Sequence, residues 1–339
     1  MRRSRFADWV ILAFGRQHRG HTRPVAFCLT CALFVTSYSV HAQPAGTGGA
    51  TAIVTGLGGP GYVAVHYSGD VIIADVLCDT TPPVVGEDCN IVIATPSSGG
   101  TYTKNLIIPN VPYVQGLLVD NSKDVYYMVP FVLYEEAPQG PQQGPPWSQN
   151  DFHCSSLKSP TGLAFGSPGG FYVADSGAKN IYSLGSPPSC ASMQVVVSNA
   201  SSLGPIAVDS SGNIYMASGE TVFKETRSGA TYTQSIVYGG YSSVKGIAVD
   251  SSSNVYVSDG GGSVYVDSPC GASYLQAVVF TPKTPPGGIA LDNANNLYVA
   301  EPQGGQVWKI PSRTGSAGSP APPTCVIATP VSNSPINQS

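Results

Sequence analysis

Residues 246–259 read GIAVDSSSNVYVSD: an apolar run, a polar turn and a second apolar run. Two short apolar segments joined in this way predict a β-hairpin. Asp, Asn, Gly and Ser supply the left-handed or self-bonding backbone that a tight connection needs. The stretch recurs along the chain. Its first run, Gly246-Ile247-Ala248-Val249, lines up with Gly162-Leu163-Ala164-Phe165, Pro205-Ile206-Ala207-Val208 and Gly288-Ile289-Ala290-Leu291. Its second run, Val255-Tyr256-Val257-Ser258, lines up with Phe171-Tyr172-Val173-Ala174, Ile214-Tyr215-Met216-Ala217 and Leu297-Tyr298-Val299-Ala300. The four units stand 43, 41 and 42 residues apart. Two looser copies precede them, at Tyr62-Val63-Ala64-Val65 with Val71-Ile72-Ile73-Ala74, and at Gly116-Leu117-Leu118-Val119 with Val125-Tyr126-Tyr127-Met128.

Each hairpin is followed by a third apolar run, such as Thr221-Val222-Phe223-Lys224 or Gln306-Val307-Trp308-Lys309-Ile310. A fourth follows a Gly-rich turn, as in Thr231 to Val237 and Ser273 to Val279. Four strands in roughly 42 residues is the period of a propeller blade. The expected fold is therefore all-β, a six-bladed β-propeller of four-stranded antiparallel blades. Strands apolar on both faces fit blades sandwiched between neighbours, and no helical period competes.

The pattern G-I-A-V-D-x-x-x-N-x-Y-V-x-D, standing as Gly246 to Asp259, resembles the NHL repeat. That repeat occurs in streptogramin-lyase-like, amidating-lyase-like and gluconolactonase-like propellers, and the resemblance runs from about residue 51 to 330. It implies a fold and leaves the activity open, because propellers host binding, scaffolding and several chemistries.

The flanks read differently. Residues 1–42 carry six arginines and one acid, then an apolar run from Val25 to Val40 and the small-residue end Val40-His41-Ala42. This order predicts a secretory signal cleaved after Ala42. The competing reading is an uncleaved anchor, since the run approaches the ~17 residues of a short membrane span. Residues 43–330 are expected to form the propeller and 331–339 a tail. Without the leader the chain keeps 10 Lys and Arg against 19 Asp and Glu, a net charge of −9. No basic stripe remains, which argues against nucleic acid as a partner. A secreted or periplasmic monomer, off the membrane after cleavage, is the expected form. Six cysteines remain: Cys78, Cys89, Cys154, Cys190, Cys270 and Cys325. An even number in an exported chain predicts disulfides. Locality favours Cys78 with Cys89, and the other four stay open.

Two irregularities interrupt the repeat. Residues 135–150 hold a Pro/Gln/Gly-rich insertion, expected to stay out of the sheet and on the surface. Its Trp147 is a candidate exposed aromatic for gripping a ligand. Ring closure is open between Thr51-Ala52-Ile53-Val54 and Cys325-Val326-Ile327-Ala328, because both suit the fourth-strand slot of the last blade.

Candidate chemistry is sparse. Asp75, Asp175, Asp259 and Glu301 end second strands and fall on one loop face. A ring of carboxylates suits Ca²⁺, which takes 6–8 oxygen ligands, but an acid that repeats with the fold more commonly caps its own turn. Asp120, Asp209, Asp250 and Asp292 start the hairpin turns on the opposite face and read as structural. Only His66 and His153 lie beyond the leader, and the repeat puts them on opposite faces, so no Ser-His-Asp set forms. The resemblance to gluconolactonase-like propellers implies Glu, Asn and Asp metal ligands near a central channel. The comparable positions, just before each first strand, are Tyr62, Gln115, Thr161, Gly204, Lys245 and Gly287, and none is acidic. Lys245 stands as a lone cation in a polar mouth. The recurring Tyr172, Tyr215, Tyr256 and Tyr298 read as inter-blade packing. Two functions follow as expectations. One is a binding module for a protein, peptide or glycan. The other is a Ca²⁺-assisted lyase or hydrolase working on the loop face.

Overall fold

A computed structural model of the chain describes residues 49–75, 90–111, 113–138, 147–166, 170–312 and 325. The expected leader, the Cys78–Cys89 pair, the middle of the insertion (139–146), residues 326–328 and the tail 331–339 lie outside the described residues.

The strands, in chain order, begin with β1 (Thr51–Thr55). Blade 1 follows as β2 (Pro60–Val65), β3 (Val71–Asp75), β4 (Asn90–Pro96) and β5 (Tyr102–Ile108). Blade 2 is β6 (Gly116–Val119), β7 (Val125–Val129), β8 (Val132–Pro138) and β9 (Trp147–His153). Blade 3 is β10 (Pro160–Gly166), β11 (Gly170–Asp175), β12 (Asn180–Gly185) and β13 (Gln194–Val197). Blade 4 is β14 (Leu203–Val208), β15 (Ile214–Ser218), β16 (Thr221–Ser228) and β17 (Thr231–Gly239). Blade 5 is β18 (Val244–Val249), β19 (Val255–Asp259), β20 (Ser263–Cys270) and β21 (Ser273–Phe280). Blade 6 is β22 (Ile289–Leu291), β23 (Leu297–Glu301) and β24 (Gln306–Ile310). Its fourth strand is β1, so the sheet runs β1-β24-β23-β22. The six sheets are antiparallel meanders and form the expected six-bladed propeller.

Ring closure is thereby decided for the N-terminal strand. Thr51 pairs with Lys309, Ala52 with Trp308, Val54 with Val307 and Thr55 with Gln306. Leu57 N–H continues the clasp by donating to the Gly305 carbonyl at 3.0 Å.

Between blades lie six small apolar clusters rather than one central core. Val63, Val71 and Ile73 of blade 1 pack on Val54, Tyr298 and Val307 of the closing blade. Ile72 and Ile91 meet Leu117, Val125 and Tyr127 across the next interface, and the pattern repeats around the ring. Burial on both faces is why the strands carry no alternation of apolar and polar residues. The inner strands approach closely at their first glycine. A Cβ on Gly162 would stand 2.9 Å from the Gly204 carbonyl oxygen, and one on Gly246 would stand 2.8 Å from Ile289 N.

The hairpin turns bear out the structural reading of their acids. Asp209 Oδ1 accepts from Ser211 N–H and Asn213 N–H, both at 2.9 Å, while Asn213 Nδ2 donates to Oδ2 at 2.8 Å. Asp250 with Asn254 and Asp292 with Asn296 repeat this arrangement. The recurring tyrosine adds its hydroxyl, as Tyr298 does to Asp292 at 3.1 Å. Blade 1 substitutes His66 and Asp70 in this turn. Asp70 is buried and paired with Lys123 of blade 2 at 2.6 Å. Burial pushes Asp70 upward, but Lys123, Ser68 and Thr95 outweigh it and hold the carboxyl below its usual range.

A second repeated device joins third and fourth strands. Gln149 donates to Glu136, Gln234 to Glu225 and Gln276 to Asp267, at 2.7, 2.7 and 3.0 Å. Asp267 is fully buried, and Tyr241 also donates to it. Burial pushes Asp267 up to about 6 despite these donors. A folded-state pKa above the unfolded one gives stability below the ordinary carboxylate range that is lost as pH rises through about 6. Asp267→Asn should therefore remove roughly 2–3 kcal/mol of the stability difference between pH 4 and pH 7. Denaturant titrations of both proteins across that range test this, and identical pH profiles would refute it.

The insertion corrects one expectation. Its ends are strand: Glu135 pairs with Asn150, Glu136 with Gln149, Ala137 with Ser148 and Pro138 with Trp147. A proline at the last rung needs no further ladder bond, so it ends β8 without breaking the sheet. The cysteines left open form Cys154–Cys190, between blades 2 and 3, and Cys270–Cys325. Among the described residues no helix is long and apolar enough to cross a membrane.

Candidate functional site

The first strand of each blade lies at the edge of its sheet, and the six edges line one central channel of about 310 Å³. In a four-stranded meander, turns between first and second strands lie at one end. The turns between second and third strands and the inter-blade connections lie at the other. The latter end carries the channel mouth, ringed by Tyr62, Gln115, Thr161, Pro205, Lys245 and Gly288. Four of these are positions expected from the repeat; Pro205 and Gly288 line the wall in place of Gly204 and Gly287.

The mouth offers four kinds of polar group. Lys245 is exposed and has no ion-pair partner among the described residues. Gly260 leaves room for its stem, since a Cβ there would sit 3.0 Å from Lys245 Cε. Gln115 Oε1 is buried and has no hydrogen-bond partner among the described residues. Thr161 donates its hydroxyl to the Leu203 carbonyl at 2.9 Å, leaving the oxygen's lone pairs to accept. Burial pushes the Tyr62 phenol up, which keeps it a neutral donor.

The second-strand acids are placed beside this mouth but are engaged elsewhere. Asp75 accepts from Gly58 N–H at 2.8 Å and from Gly59 N–H. Asp175 accepts from Lys158, Ser159 and Ala178 N–H at 2.7, 2.8 and 3.0 Å. Asp259 accepts from Ser242, Ser243 and Gly261 N–H at 3.1, 2.7 and 3.2 Å. Glu301 accepts from Thr284 N–H, Gln306 Nε2 and Trp308 Nε1 at 2.7, 2.6 and 2.7 Å. Burial works against the Glu301 charge, yet the donors from Trp308, Gln306 and Thr284 hold its carboxyl below the usual range. Each acid pins the connection that enters its own blade. They sit in four different blades and share no hydrogen bond. Among the described residues no group of three His, Cys, Asp or Glu is placed to hold a metal. The donor set at the mouth is thus a poor fit for Ca²⁺, whose oxygen ligands would have to be withdrawn from backbone N–H groups.

Trp147 does not stand free as expected. It is half-buried, packed with Tyr134 and Val129 against the interface of blades 1 and 2, and its Nε1 has no partner among the described residues. Pairing of Trp147 in β9 turns the ring inward, which the composition of the insertion does not reveal. His66 is buried at a hairpin turn, while His153 is exposed beside Asp151 at 3.1 Å, at the opposite ends of their blades. The glutamines of the fourth strands recur at 149, 234 and 276, but only the fold shows that each meets a third-strand acid.

The fold and channel define a six-bladed β-propeller with a polar, carboxylate-poor mouth. Among solved structures it is similar to a gluconolactonase from Xanthomonas campestris, at 12% identity, with TM-score 0.59, covering 77% of this chain and 88% of that one. It is also similar to a protein of unknown function from Bacteroides thetaiotaomicron, at 14% identity, with TM-score 0.55, covering 77% and 74%. At such identities the likeness establishes the fold alone. No protein-family model and no curated protein matches this sequence.

Proposed function

We propose that this is an exported NHL-type propeller acting as a binding module, which holds an anionic group of a protein, peptide or glycan at its channel mouth. The observation that carries the reading is the contrast at that mouth. Lys245 stands exposed among neutral donors and acceptors, while the nearby acids are turned into loop clamps. A cation without a competing carboxylate attracts an anion, and Gln115, Thr161 and Tyr62 supply hydrogen bonds to fix its orientation. Export is supported by the leader-like first 42 residues and by the disulfides, which persist in oxidising compartments.

Calorimetric titration with a polyglutamate peptide and with an oligogalacturonate tests the proposal. At least one should bind, more weakly as salt rises, and Lys245→Ala should lower that affinity about tenfold. Equal affinity in the variant, or no binding by either probe, would overturn the reading. The calcium-assisted lyase or hydrolase is the alternative. Stoichiometric calcium in the purified protein, with a melting temperature that drops on chelation, would favour it.

A further inference from the structure

At the end of every second strand but one stands a polar residue that pins the incoming connection: Asp75, Asp175, Ser218, Asp259 and Glu301. Blade 2 has Val129 at this place. Blade 2 therefore offers the connection from blade 1 no polar side chain at this place. Tyr113, which corresponds to Ser159, Ser202 and Ser243, adopts a left-handed φ of 59°, as Ser202 does at 52°, and is a bulky side chain 57% exposed. The turn after Val129 is also unusual. Its left-handed position is filled by Phe131 (φ 70°, 45% exposed), where blades 5 and 6 have Gly262 and Gly305 and blade 3 has Lys179. Bulky residues seldom adopt this conformation, and such strain tends to collect where ligands are gripped.

A cleft of about 390 Å³ lies between blades 1 and 2, walled by Tyr113, Tyr127, Tyr134, Val129, Asn110 and Gln149 among others. Its described lining carries no charged side chain. Tyr127 and Tyr134 stack at 5.1 Å with an interplanar angle of 16°. Gln149 Nε2 is held at the back by Tyr127 Oη (3.1 Å) and by the buried Glu136 (2.7 Å). The Gln149 carboxamide is thereby oriented, and its oxygen takes no hydrogen bond among the described residues.

We propose that this cleft is a second binding site, separate from the channel mouth, for a neutral sugar residue. An exposed tyrosine face takes the C–H face of a pyranose ring, and two carboxamides, Asn110 and Gln149, meet its hydroxyls. The absence of lining charge selects a neutral ligand. A compact pocket of this volume matches one or two rings rather than an extended strand.

Saturation-transfer NMR and calorimetry on the chain from residue 43 test this with β-linked tetramers of glucose, mannose and N-acetylglucosamine. At least one should bind saturably and receive magnetisation from tyrosine ring protons. Tyr113→Gly, which relaxes the left-handed backbone, should weaken that sugar at least tenfold at an unchanged melting temperature. Lys245→Ala should leave it unchanged. Binding that survives Tyr113→Gly, no binding by any tetramer, or binding only by a deca-proline peptide would overturn the sugar assignment. None of these results bears on the anionic ligand at the mouth.

Discussion

A chain lacking Thr51–Thr55 loses its cooperative melting transition. Without β1 the last blade has three strands, Val54 leaves the cluster shared with blade 1, and β24 becomes an open edge. Four ladder pairs, at about 0.5–1.5 kcal/mol each, and one buried aliphatic side chain at about 1.5–3 kcal/mol are removed together. The sum rivals the total stability of an ordinary domain, about 5–15 kcal/mol, and the bared edge invites aggregation. Differential scanning calorimetry and gel filtration of the truncated and intact proteins decide it. A truncated protein that is monomeric and melts within a few degrees of the intact one would mean that another segment, such as 325–328, takes the empty slot.

Asp175→Ala is the second large effect. The carboxylate is fully buried and is the acceptor for three backbone N–H groups. Removing it orphans those donors beneath the connection to blade 3, at a cost of roughly 3–5 kcal/mol. At about 2–4 °C per kcal/mol for a domain of this size, the melting temperature drops by roughly 6–20 °C. Asp175→Asn keeps one acceptor oxygen and should recover part of the loss. Chelators should not reproduce the effect, because the carboxylate holds peptide groups. If Asp175→Ala melts like the parent protein, the clamp described here is not holding that loop. A melting temperature lowered equally by chelator would instead assign the carboxylate to a metal.

Most of the fold is legible in the chain, because the last four blades repeat their turn residues every 41–43 residues and two looser copies precede them. The Asp-Asn hairpin turn is a local device, so Asp209 with Asn213 announces itself without tertiary information. What escapes is whatever depends on distant neighbours. Cys154 meets Cys190 across two blades, and nothing local marks that pair. Both termini supply a suitable fourth strand, and only packing against blade 1 selects Val54. The second-strand acids sit at the expected end of the blade, but their backbone partners lie 16 and 17 residues upstream, a link invisible to a strand pattern. The burial of Trp147 is hidden for a different reason: the prolines beside it describe the loop, whereas its orientation follows from β9. The cleft was readable as a departure from the repeat, Val129 where an acid is due, but its volume was not.

The clasp also governs how the protein reaches its native state. Val54 and Val307 are ladder partners separated by some 250 positions in the chain, so the ring closes only once nearly the whole polypeptide is available. Contacts of such long range make folding slow. Five blades can assemble by local hairpin pairing, each on its predecessor, but the sixth waits for the two ends to find one another. The same joint is held by ladder hydrogen bonds and side-chain packing alone, with no covalent chain running from β24 to β1.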